Sequence, residues 1–195
     1  MITTAVIEPT GSPGRVDVAI RLLGEVGATA DGRVVPALAA RRMARLLARL
    51  VLDADAWVSR EQLARELRPD SGAAQARTNL RKLLHTLRRS IPGPPDVIDA
   101  AGSLVRWSAG SAVSVDVVTF HDALAHGDPA AAISSYGGEL LPGYDDEWVV
   151  AERERLRHLA VGALVGLADA AAADGRDAEV VVRTRRLLEI EPLHE

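Results

Sequence analysis

The residues best suited to chemistry lie between Gly72 and Ile91, in the run GAAQARTNLRKLLHTLRRSI. Arg77, Arg81, Lys82, Arg88 and Arg89 supply five positive charges, and no acidic residue occurs between Ser71 and Pro95. Leu80, Leu83, Leu84, Leu87 and Ile91 fall at i, i+3, i+4, i+7 and i+11, the spacing of one side of a helix. At about 100° per residue, Thr78, Lys82, His85 and Arg89 centre on the opposite side, with Arg81, Thr86 and Arg88 at its edges. A helix buried along one side and cationic along the other can fill the major groove of DNA.

Such an interface needs two kinds of contact. Cations on phosphates fix the register and make affinity fall with salt. That role goes to Arg77, Arg81, Arg88 and Arg89, with Arg106 reaching the minor groove from a hairpin further along. Arg41, Arg42 and Arg60, near predicted helix starts, add backbone contacts. Base edges must be read from the centre of the exposed side: Thr78, Lys82 and His85, with Thr86 or Asn79 as further candidates. A cationic helix taken alone is more often a solvated surface, and a lone histidine such as His85 more often a plain surface residue. The elements on either side tip the balance toward DNA.

Those elements can be read in order. Val16, Val18, Ile20 and Leu22 alternate as a half-buried strand; Asp31-Gly32 is a hairpin turn, with 33–35 as its short return. Leu38, Met43, Leu46, Leu47, Leu50 and Val51 make one apolar side of a helix over 38–52. After a loop at 53–57, Ser59 opens a second helix with Gln62 three residues on, a capping-box pattern, and Leu63 and Leu67 form its buried side. Pro69 to Gly72 ends it, and Pro92-Gly93-Pro94-Pro95 stops the basic helix. Val97 and Ile98, then Leu104, Val105 and Trp107, flank Ala101-Gly102-Ser103 as a β-hairpin. This order predicts an α+β winged helix-turn-helix over 15–108, preceded by a flexible lead at 1–14.

A short linker is expected at 109–114, and an all-α, tetratricopeptide-like region over 115–195, with helices near 115–126, 128–137, 144–173 and 177–190. The chain stops at Glu195 soon after Glu191-Pro192 with no evident polar cap, so this domain is expected to be truncated. Residues 1–108 hold 16 Arg and Lys against 11 Asp and Glu, whereas 109–195 hold 7 against 16. The first half is thus the one suited to a polyanion.

Composition closes several other routes. With no cysteine there are no disulfides, thiolate zinc sites or thiol nucleophiles. No apolar run approaches the roughly 18 residues of a membrane span, and the N-terminus lacks a secretory pattern, so a cytoplasmic protein is expected. Arg outnumbers Lys 22 to one, which we read as codon bias. His121 and His126 are five apart, the wrong step for two ligands on one helix face, and no metal or cofactor is expected. Asp145, Asp146 and Glu147 could be paired carboxylates of an enzyme. No His, Cys or phosphate loop converges on them, so the better reading is an acidic helix start with Trp148 buried beside it. Glu152, Arg153, Glu154, Arg155 and Arg157 read as a mixed-sign solvated face.

Six segments together carry a family resemblance: RLLGEVGATADGRVVP (21–36), VSREQLARELRPD (58–70), ARTNLRKLLHTLRR (76–89), VDVVTFHDAL (115–124), YGGELLPGYDDEWVVAERERL (136–156) and LLEIEPLHE (187–195). Their order resembles the OmpR-type winged helix followed by a bacterial transcriptional activation domain, as in the Streptomyces antibiotic regulatory proteins. The chain departs from that family in having Arg68 where a Trp usually precedes the Pro-Asp, and in its wing strand at 102–107. The resemblance implies a transcriptional activator, not an enzyme, that binds promoter direct repeats of double-stranded DNA as a side-by-side homodimer and recruits RNA polymerase. The alternative is a helical-repeat interaction module whose winged helix has lost DNA binding.

Overall fold

The computed structural model describes residues 17–54, 56–69, 71–91, 97–108 and 113–191. The expected lead at 1–14, the Pro-Gly-Pro-Pro stop and most of the expected linker lie outside these residues. The described residues begin with a sheet. β1 (Val18–Arg21) pairs antiparallel with β2 (Gly27–Ala30), which pairs with the two-residue β3 (Arg33–Val34) across the Asp31-Gly32 turn. Asp31 and Gly32 both hold positive φ, the conformation this turn type requires.

Helices follow. α1 (Pro36–Ala39) starts on a proline, and α2 (Arg41–Leu52) follows after a break at Ala40, whose ψ of 134° is extended. The apolar spacing runs straight through that break, which is why the sequence reads as one helix. α2 is the centre of the core: seven of its twelve residues are buried. β4 (Val58–Ser59) leads into α3 (Arg60–Leu67), and the Ser59 side chain accepts the Gln62 amide N–H as expected of an N-cap. The reciprocal half of the capping box is absent, because Gln62 turns to Glu66 instead, at 2.9 Å. α4 (Ala73–Ser90) is the basic helix, with Ala76, Leu80, Leu84 and Leu87 buried. β5 (Ile98–Ala101) and β6 (Leu104–Trp107) then form the hairpin, and β4 joins it in a sheet ordered β4-β6-β5.

The chain then returns to its start. β7 (Val113–Val115) pairs parallel with β1, so 113–115 is a strand and not part of a linker. α5 (Asp116–Ala125), α6 (Pro129–Ser135), α7 (Glu147–Ala173) and α8 (Asp177–Ile190) make up the rest, close to the four helices expected. Asp128 caps α6 by accepting the Ala131 N–H, with Pro129 in the first turn. One contiguous core runs from Val18 to Leu164. α7 is long and apolar enough to span a membrane by length and composition, which the reading of the sequence did not anticipate. Leu156, Ala160 and Leu164 on it are nonetheless buried within the fold, as in a core helix.

The two halves meet through backbone. Gly24 donates to the Glu139 carbonyl at 2.8 Å, Leu141 donates to the Leu22 carbonyl at 2.9 Å, and Leu23 bridges Leu140. A Cβ on Gly137 would sit 2.8 Å from the Leu23 carbonyl oxygen, and one on Gly138 would sit 3.0 Å from the Gly24 Cα. Only glycine permits that approach. The Asp116 carboxylate accepts the amide N–H groups of Leu22, Leu23 and Val117 at 2.8–2.9 Å. Burial pushes that carboxyl above the usual carboxylate range, against the pull of the three N–H donors. Arg153 donates to the carbonyls of Leu140, Leu141 and Tyr144, holding the loop in which Leu141 takes a positive φ of 45°. Arg153 is therefore a clamp, not a member of a solvated face.

Candidate nucleic-acid interface

α4 owes its position to its own leucine stripe, which packs on α3, α1 and α2. With that side fixed, the opposite side must face out. Arg77, Thr78, Arg81, Lys82, His85, Thr86 and Arg89 are all exposed, and the described residues of the acidic half do not cover them. Arg77, Arg81, Lys82 and Arg89 have no carboxylate partner among the described residues. Four cations therefore share one helical face unneutralised, which a polyanion would complement.

The polar candidates are less equal. Thr78 Oγ1 donates to the Ala74 carbonyl at 3.0 Å, leaving its oxygen as an acceptor. Asn79 is half-buried, and its Oδ1 accepts from Gln75 at 3.0 Å. Lys82 and His85, three residues apart, stand clear on the exposed side.

Two of the expected phosphate ligands are already engaged. Arg88 is half-buried and donates to the Ile98 carbonyl at 3.3 Å, tying α4 to β5. Arg106 pairs with Asp99 at 2.6 Å, and its guanidinium lies 4.7 Å from the Trp57 ring centroid. Arg106 in turn holds the Asp99 carboxyl below the usual carboxylate range. The sequence reading missed Trp57 and Asp99 as partners of Arg106. The signal available was an aromatic residue in the loop before β4 and an acid opposite Arg106 in the hairpin register.

The arginines at helix starts also divide. Arg41 lies 4.1 Å from the Tyr144 ring centroid and donates to the Gly143 carbonyl at 3.0 Å, so it serves the junction between halves. Arg60 is half-buried, and its backbone N–H meets the Ser103 carbonyl at 2.9 Å, anchoring the hairpin turn to α3. Arg42 stays exposed. The acidic helix start is also used differently than expected: Asp146 pairs with Arg45 of α2. Trp148 is only half-buried, and its neighbour Val149 is the buried residue. Among the described residues no His, Asp and Glu group could hold a metal ion.

Residues 119–195 match the bacterial transcriptional activator domain. A solved structure of Mycobacterium tuberculosis EmbR in complex with a low affinity phosphopeptide superimposes with a TM-score of 0.70 and 25% sequence identity. The match covers 91% of this chain and 51% of that one, so this chain spans about half the length of EmbR in that structure. No curated protein sequence matches the chain. The N-terminal α+β region followed by helices is thus a shared architecture. Residues 119–195 thus match the domain found in bacterial transcriptional activators, and the chain as a whole is similar to transcriptional regulators of the Streptomyces antibiotic regulatory protein type.

Proposed function

We propose that this chain is a sequence-specific DNA-binding activator of transcription. The division of labour follows the two regions: 15–108 as a winged helix on DNA, and 115–195 as a tetratricopeptide-like activation domain that recruits RNA polymerase. The observation that carries the reading is the exposed, unneutralised face of α4. Two features support the winged-helix assignment: the α2–α3–α4 order, and the β5–β6 hairpin tied to α4 through Arg88. Arg77, Arg81 and Arg89 grip phosphates while Lys82, His85 and Thr86 read base edges, with Thr78 and Asn79 in supporting positions. Arg88 and Arg106 act first as braces of the helix and hairpin, and touch the duplex from those fixed positions. Binding to direct repeats as a side-by-side homodimer, in the cytoplasm at the nucleoid, completes the proposal.

The test is a salt titration of binding to the protein's own upstream promoter region. With three to four phosphates neutralised, log K against log salt should have a slope of about −2.7 to −3.6, at about −0.9 per phosphate. A flat line overturns the reading. Changing Lys82 and His85 together to Ala should reduce specific over non-specific binding by about 2–6 kcal/mol in total, at 1–3 kcal/mol per base contact. Circular dichroism should stay unchanged, because both side chains are exposed. The acidic helical half favours one second reading, a protein-interaction module without DNA binding, which the same titration separates.

A further inference from the structure

A cleft of about 350 Å³ opens where the start of α2, the loop between α3 and α4, and the residue before α7 come together. Arg41, Arg42, Arg45 and Arg68 line it with Leu67, Pro69 and Ser71, and Asp146 is the single carboxylate among the described lining residues. Asp70, next to Pro69, lies outside the described residues; even counted in full, its charge leaves the cleft with a surplus of two positives. Arg41 is held on Tyr144 and Gly143, and Arg45 on Asp146 and the Glu66 carbonyl. The guanidinium groups of Arg42 and Arg68 have no hydrogen-bond or ion-pair partner among the described residues. Two fixed guanidinium groups and two without a partner among the described residues thus converge on one concave space.

Gathering like charges in a cleft is unfavourable unless an opposite charge is supplied, since low-dielectric walls strengthen the repulsion. Guanidinium groups match the oxygens of phosphate in paired hydrogen bonds. α2 also begins here, at Arg41, with no side-chain cap, so its first N–H groups and the positive end of its dipole add to the field. The volume is at the low end for small-molecule sites.

We propose that this cleft binds a free phosphate-bearing anion of diphosphate size, with Arg42 and Arg68 closing on it and Arg41 and Arg45 forming the floor. The site is distinct from α4's exposed face and touches both halves of the chain, because Asp146 forms one of its walls. Arg68, from the loop between α3 and α4, completes the cluster.

The experiment is isothermal titration of the full chain with inorganic pyrophosphate at constant ionic strength, alongside Arg42→Gln with Arg68→Gln. The proposal expects saturable one-to-one binding that the double variant weakens at least tenfold, with an unchanged circular dichroism spectrum. No saturable binding, or equal binding by the variant, overturns it. A DNA arm identifies the source of the phosphate. If the double variant lowers the salt slope of DNA binding while pyrophosphate does not bind, the cleft grips the duplex backbone and the free-anion proposal fails.

Discussion

α2 and α8 are of similar length and are organised in opposite ways. α2 buries seven of its twelve residues at the centre of the molecule, whereas none of the fourteen residues of α8 is fully buried. Val181, Val182 and Leu188 on α8 are 57%, 60% and 44% exposed. α7 lies between the two: Val149, Leu156, Ala160 and Leu164 join the common core, while Val150, Leu159 and Val165 are exposed. Stability is therefore concentrated in the part of the chain that presents α4 and in the junction behind it. The α7–α8 hairpin is held by α7 and by polar ties such as Arg186 to the Tyr136 carbonyl at 2.9 Å.

The contrast is open to direct attack. Leu84→Ala in α4 removes a side chain only 1% exposed and should cost about 2–5 kcal/mol in chemical denaturation. Val182→Ala in α8 should change stability by less than about 0.5 kcal/mol. Equal effects would mean that the two regions share their packing energy after all. Asp116→Ala leaves three amide donors at the junction unmet and should cost about 2–4 kcal/mol. Amide exchange should then speed up in β1 and β7 while α3 stays protected.

A smaller effect concerns pH. Burial, then Arg155, holds the His121 pKa below the ordinary histidine value, and Arg155 lies 3.1 Å from its Nε2. The folded state thus binds this proton less readily than the unfolded chain. Its contribution to stability is present above the ordinary histidine pKa of about 6.5 and is lost as pH falls through the lower folded value. Urea midpoints between pH 7.5 and 5.5 should decline, and His121→Gln should flatten that decline.

Much of this was legible in the residues. The leucine stripe of α4, the cap at Ser59, the hairpin around Gly102 and the four later helices all follow from local periodicity and turn chemistry. The short strands were not: β2 reads GATA, and β4 and β7 have two and three residues. Such segments become strands only because a partner elsewhere in the chain supplies the hydrogen bonds. Val58 meets Val105, and Val113 meets Val18. For the candidate site, spacing identified which side chains face outward. It could not tell that Arg88 and Arg106 are bound to Ile98 and to Asp99 with Trp57, since those contacts depend on where α4 and the hairpin are brought together. Gly137 and Gly138 appeared as part of a family marker, and only their distance to Leu23 and Gly24 explains why they are glycines.

That glycine crossing has a mechanical consequence. Main chain abuts main chain there, with no long side chain between to bend or re-rotamer, so α5 and α6 ride with β1 as a rigid coupling. If two copies settle on adjacent repeats of a duplex, the spacing of those repeats would act as a ruler. It would dictate how far apart, and at what angle, the two helical regions are offered to whatever they recruit.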